Sequence, residues 1–157
     1  MSSNPIVPPR PGGAAPLPAT DKTVSHVLGE ITWLMSQSKI HKQMFVGDLE
    51  WFAIPAILTE QFRIFNGPQS PVAVAFWAKV SEDTEARLLD GATKLGPHEW
   101  KGGDRPWLIE LVAPFGGGDE ILKDMYESVF EGRPFKFHTV DERGQRVVRD
   151  YEPPLAN

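Results

Sequence analysis

The chain has 157 residues, of which 41% are hydrophobic and 24% charged, a balance that supports one packed domain and excludes global disorder. Its formal charge of −5 argues against a nucleic-acid binder, which carries a basic face. The absence of cysteine excludes disulfides, thiolate catalysis and cysteine-ligated zinc or iron–sulfur centres.

Residues 1–20 hold six prolines and no acid. They read as a flexible or polyproline-like arm, because they cannot bury enough apolar surface to offset their ordering entropy. Pro8-Pro9-Arg10-Pro11 is a short docking pattern of the kind proline-rich arms present, but an unstructured leader is the preferred reading. The folded domain is expected over 21–157. No apolar run approaches the roughly 20 residues that span a bilayer, and no basic-then-apolar leader is visible. A cytoplasmic protein without stable membrane insertion is expected.

Val24, Val27, Leu28, Ile31, Leu34 and Met35 recur at helical spacing, with Thr20 or Asp21 as the expected cap. SQSKIHKQ then reads as helix end and loop. Residues 48–60 are again apolar at helical spacing, with Pro55 kinking the helix or starting a turn. QFRIFN and PVAVAFWAKV, joined through Asn66-Gly67, predict a hairpin. The run Val72 to Ala78 is apolar on both faces and predicts a central strand. Ser81 caps a short helix ending near Gly91. Trp107 to Ala113 predicts a second central strand, with Glu110 in its middle. The role of that acid depends on whether it is exposed or buried. Gly116, Gly117 and Gly118 form a turn into a helix running to about Phe130, and FKFHTV and QRVVRDYE pair around DERG. The sum is a mixed α/β domain on one main sheet.

Of four histidines, His26 and His98 read as solvated and His138 as structural. His41 follows a helix end between Lys39 and Lys42 and is the candidate for proton transfer. Asp104 follows two glycines. It is either a turn aspartate bonded to nearby backbone or a carboxylate that orients a histidine. Gly116 to Gly118 offer backbone amides to a phosphate, although Asp119 and Glu120 oppose an anion there and a plain turn fits as well. No metal-ligand spacing is present.

Four blocks, LGEITWLMSQSKIHK, FAIPAILTEQF, PVAVAFWAKVSEDTE and GGDRPWLIELVAPFGG, taken in this order, resemble the RTX toxin-activating lysine acyltransferases. The resemblance implies a fold like that of the Gcn5-related N-acetyltransferases, a twisted mixed sheet flanked by helices. It implies transfer of a fatty acyl chain from the phosphopantetheine thioester of acyl carrier protein to lysine ε-amines of an RTX protoxin, by a cytoplasmic enzyme of a kind that is often a homodimer and holds no bound cofactor. The essential histidine carries over to His41, the essential aspartate to Asp104, and a nearby serine to Ser38. A neutral imidazole with a pKa of about 6.5 suits removal of a proton from an attacking amine. Direct attack is preferred over an acyl-enzyme on Ser38 or His41. Lys39, Lys42, Lys101 and Arg105 are the expected docking patch for an acidic carrier, and Arg105 with the three glycines the expected donor contacts. Two other readings use the same fold: a non-catalytic module that binds an acyl carrier or toxin segment, and acetyl-coenzyme A-dependent transfer to a small amine.

Overall fold

Thr23, rather than Thr20 or Asp21, starts the first helix: its hydroxyl accepts the His26 backbone N–H at 3.1 Å, and α1 runs Val24–Gln37. The computed structural model describes residues 22–153; the expected arm over 1–20 lies outside them. α1 buries Val27, Ile31, Leu34 and Met35 and is followed by two single 3-10 turns, His41–Gln43 and Val46–Asp48. The expected helix over 48–60 is divided into α2 (Leu49–Phe52) and α3 (Ile54–Leu58). The break is at Ala53, and Pro55 falls in the first turn of α3. A missing N–H breaks no helical hydrogen bond there.

Five strands follow: β1 (Phe62–Asn66), β2 (Pro71–Val80), β3 (Arg105–Val112), β4 (Lys136–Val140) and β5 (Arg146–Asp150). They form one sheet in the order β1-β2-β3-β4-β5, antiparallel except where β4 pairs parallel to β3. Between β2 and β3 lies α4 (Glu82–Leu89), capped by the Ser81 hydroxyl at 3.2 Å from the Thr84 N–H. Between β3 and β4 lies α5 (Gly118–Asp124), which widens into a π-type turn over Met125–Val129.

The long apolar run of β2 is explained by burial on both faces. One face of the sheet packs Val74, Phe76 and Trp107 against Ile31, Leu34 and Phe52 of the first helices. The other packs Ala73, Ala75 and Leu108 against Ile121 and Met125 of α5 and its extension. This mixed α+β architecture, a sheet flanked by helices, is consistent with a Gcn5-related N-acetyltransferase-like fold.

The Gly-Asp-Arg-x-Trp stretch fastens α4 to the sheet. Arg105 donates to Glu85 at 2.8 Å and to Glu82 at 2.9 Å, and the Trp107 indole N–H donates to the second oxygen of Glu85 at 2.9 Å. Gly103 donates its N–H to the Lys79 carbonyl at 3.0 Å. A Cβ there would lie 2.7 Å from the Ser81 Cα and overlap the Val80 carbonyl, so the close approach requires glycine.

Glu99 ties the loop before β3 to α4. The Arg87 guanidinium, helped by the Gly96 N–H and the Thr84 hydroxyl, lowers its pKa from 4.5 to about 2 against the opposing effect of burial. A depressed carboxylate stabilises the fold fully above its unfolded value and loses that contribution as the pH falls through the folded value. Stability therefore falls between about pH 4.5 and pH 2 by on the order of 1 kcal/mol, allowing for solvent screening at Arg87. Denaturant unfolding across this window should show the slope in the native chain and a shallower one in Glu99→Gln.

Candidate active site

Ser38 ends α1 in extended backbone conformation, which lets the chain turn back on itself. Its hydroxyl oxygen lies 3.3 Å from the His41 backbone N–H, which donates to it, and 2.7 Å from His41 Nδ1. The three-residue spacing that puts Ser38 on the same turn as His41 therefore also fixes the ring. The His41 side chain is 8% exposed and packs at 5.7 Å between ring centroids on Phe52. Phe52 in turn meets Phe76 of β2 edge-on at 5.4 Å.

Across the sheet from Phe76 lies Glu110. Its carboxylate Oε1 is 3.5 Å from His41 Nε2, an ion-pair separation rather than a hydrogen bond. The strand register explains how it arrives there. Val74, Phe76 and Ala78 pair with Val112, Glu110 and Trp107, whereas Trp77 pairs with Leu108. Ile109 is the extra residue, a bulge in β3. Regular alternation would have put Glu110 on the same face as Leu108, under α5. The bulge moves it to the face that carries His41. The Leu111 N–H then donates to Glu110 Oε1 at 3.2 Å, holding the carboxylate in place.

The structure does not bring Asp104 to His41, and this corrects the expected pairing. Asp104 precedes the first residue of β3 and lies six positions from Glu110, roughly 20 Å along a strand. It is exposed, and its carbonyl accepts from Arg133 at 3.1 Å. The expected donor contacts are also differently employed. Arg105 is ion-paired with Glu82 and Glu85. Gly116 and Gly117 have φ of 92° and 82°, which explains the glycines, but the Glu120 carboxylate stands beside Gly117 and repels an anion. Lys39 and Lys42 flank His41 and are exposed, while Lys101 is exposed in the loop between Trp100 and Asp104.

A cavity of about 150 Å³ opens beside the pair, walled by Met44, Trp51, Phe52, Leu95, Trp100 and Ile109. His41, Glu110 and His138 supply polar groups to the same space. A volume of this size holds a benzene-sized apolar group. A second opening lies between β3 and β4. These strands pair only at Trp107 with Lys136 and Leu108 with Phe137, then separate, and Glu110, Leu122 and His138 line the cleft between them.

A buried imidazole held by a hydroxyl, facing a carboxylate and bordered by an apolar cavity, is suited to moving a proton beside a greasy ligand. Residues 20–152 match the RTX toxin acyltransferase family. The chain belongs to this family. It is 36% identical over 102 residues to the leukotoxin-activating lysine-acyltransferase LktC of Pasteurella haemolytica-like sp. (strain 5943B), covering 65% of this chain and 62% of that protein. It is 36% identical over 100 residues to the RTX-II toxin-activating lysine-acyltransferase ApxIIC of Actinobacillus pleuropneumoniae, covering 64% of this chain and 62% of the relative. With the protein-lysine myristoyltransferase HlyC of Escherichia coli the identity is 32% over 117 residues, covering 74% of this chain and 68% of the relative. The matched stretch thus spans less than two thirds of the length of the first two relatives. For this member of the RTX toxin acyltransferase family, the sequence blocks separate by role. Ser38-x-x-His41 places a buried imidazole beside the cavity, whereas Gly103 to Trp107 fastens α4 to the sheet. Glu110 announced itself only as an acid inside an apolar strand, and the bulge that aims it left no readable signal.

Proposed function

We propose that this chain transfers a fatty acyl group from a thioester to the ε-amine of a lysine in an RTX protoxin, with His41 as general base and Glu110 as the carboxylate that stabilises it. The single observation that carries the reading is the His41–Glu110 pair at 3.5 Å on the rim of an apolar cavity. The names of the relatives supply the substrate class.

A lysine amine has a pKa of about 10.4, so roughly one in a thousand or fewer is unprotonated at neutral pH. His41 removes the proton as nitrogen attacks the thioester carbonyl. In the tautomer that does this, Nδ1–H donates to Ser38 and the lone pair on Nε2 faces Glu110 and the cavity. The imidazolium formed is then paired with the carboxylate. Ser38 orients the ring; its hydroxyl is buried and engaged by His41, which favours direct attack over an acyl-serine. The developing oxyanion is met by a backbone N–H on the edge of β3 beyond Leu108, where β4 no longer pairs, other than that of Leu111, which donates to Glu110.

The donor is acyl carrier protein. Its phosphopantetheine arm enters the cleft between β3 and β4, the first carbons of the acyl chain occupy the cavity at Phe52 and Trp100, and Lys39 and Lys42 meet the acidic carrier. Incubation of purified protein with acyl carrier protein thioester and a lysine-bearing toxin fragment, followed by mass spectrometry, tests this. The expected result is one acyl mass on a lysine side chain. Binding of the carrier without any transfer would favour the binding-module alternative, and equal transfer from acetyl-coenzyme A would remove the carrier from the scheme.

A further inference from the structure

β4 carries a second imidazole into the same cavity. His138 comes directly after Phe137, the last residue of β4 that pairs with β3, so it stands where the two strands part. It lines both the cavity containing His41 and Glu110 and the cleft between the strands. Strand alternation fixes its side. Phe137 packs with the α5-side core, and His138 therefore turns to the opposite face, where it meets the Trp107 ring edge-on at 5.5 Å.

The ring is anchored in one tautomer. His138 Nε2 lies 2.8 Å from the carbonyl oxygen of Leu88 in α4. A carbonyl only accepts, so Nε2 carries a proton and donates it. Nδ1 is left as the proton-exchanging atom, and among the described residues it has no hydrogen-bond partner. Charged and titratable groups sharing the cavity with it are His41, Glu110 of β3 and Arg146 of β5.

Acyl transfer has a step that a second proton-transfer group assists. A thioester and a lysine ammonium give an amide, a thiol and one proton released to solvent. The C–N bond forms as His41 takes a proton from nitrogen; the C–S bond breaks with its electron pair on sulfur, and an alkyl thiolate, more basic than an aryl one, departs faster when it is protonated as it leaves. We infer that His138 is the general acid that protonates the departing sulfur from Nδ1. Its place at the mouth of the β3–β4 cleft is where the end of the donor arm would lie. Nδ1 is recharged by the ammonium's other proton or from solvent. This inference rests on the acyltransferase reading above and adds the leaving-group half of the reaction.

Leaving-group dependence tests it. His138→Gln keeps an N–H for the Leu88 carbonyl but transfers no proton. Transfer from an acyl-pantetheine thioester, whose alkyl thiolate departs faster when protonated, should fall about 100-fold. Transfer from an acyl thioester of thionitrobenzoate, whose aryl thiolate leaves unprotonated, should fall less than about threefold, since no proton-transfer contribution is lost. An equal loss on both donors, or no loss on either, would overturn the assignment. Circular dichroism identifies a misfolded variant, in which case His138→Asn is read by the same two-donor ratio. No transfer by the unmutated protein from either donor would instead sink the acyltransferase reading, and this inference with it.

Discussion

His41→Ala should lower the rate of acyl transfer to a lysine-bearing toxin segment by about 10²- to 10⁴-fold, the usual contribution of a positioned base. The substitution removes a group with three structural ties: the Ser38 hydroxyl, the Phe52 ring and the Glu110 carboxylate. It removes little of the core, because the ring lies on the rim of the cavity and its neighbours Phe52 and Phe76 remain packed. The cost in stability should be about 1 kcal/mol, which in a domain of this size shifts the melting temperature by roughly 2–4 °C. Rate by mass spectrometry and melting by calorimetry, measured on the same preparation, separate chemistry from folding. A variant that melts normally and transfers normally would remove His41 from the mechanism.

Glu110→Gln should cost about 10²-fold or more in kcat, within the range seen for loss of a carboxylate that supports a catalytic imidazole. Glutamine has the same shape, and its amide oxygen can still accept the Leu111 N–H that holds Glu110 in place. What is lost is the negative charge beside Nε2, which matters most when the imidazolium has formed. The effect therefore falls on kcat more than on KM. Asp104→Asn is the contrasting variant. Asp104 is exposed at the far end of β3, and exposed substitutions away from special contacts change stability by less than about 0.5 kcal/mol. Its kcat should stay within about threefold of the native value, given an unchanged catalytic pair. A severe loss in Asp104→Asn with none in Glu110→Gln would reverse the assignment.

Much of the scaffold was legible from spacing. The apolar stripe of α1, the Asn66-Gly67 hairpin, the Ser81 cap and the two central strands are local patterns, and each appears in the structure. His41 stood out as an isolated histidine just after a helix end, whereas Ser38 came only with the family resemblance; in the structure its hydroxyl lies against the His41 ring. Asp104 and Glu110 show where local reading fails. Both lie in one recognisable stretch, but glycines before Asp104 signalled a special backbone, while Glu110 read as an interruption of an apolar strand. The glycine signal was real and structural, since Gly103 allows the loop to rest on the end of β2. Which acid faces His41 is decided by the pairing of β3 with β2, through a single unpaired residue at Ile109. Such a bulge depends on contacts between distant segments, and alternation counted along one strand gives the wrong face. His138 was missed similarly: its alternation in β4 is ordinary, and only the parting of β3 and β4 opens the space beside it.

The most direct measurement is a double-mutant cycle on kcat with His41→Ala, Glu110→Gln and the two combined. If the imidazole and the carboxylate act as one unit, the double variant is no slower than His41→Ala alone, because a carboxylate with no imidazolium to stabilise has nothing left to contribute. Losses that multiply, so that the double variant is slower by the product of the two single effects, would show that the groups work independently and contradict the pairing.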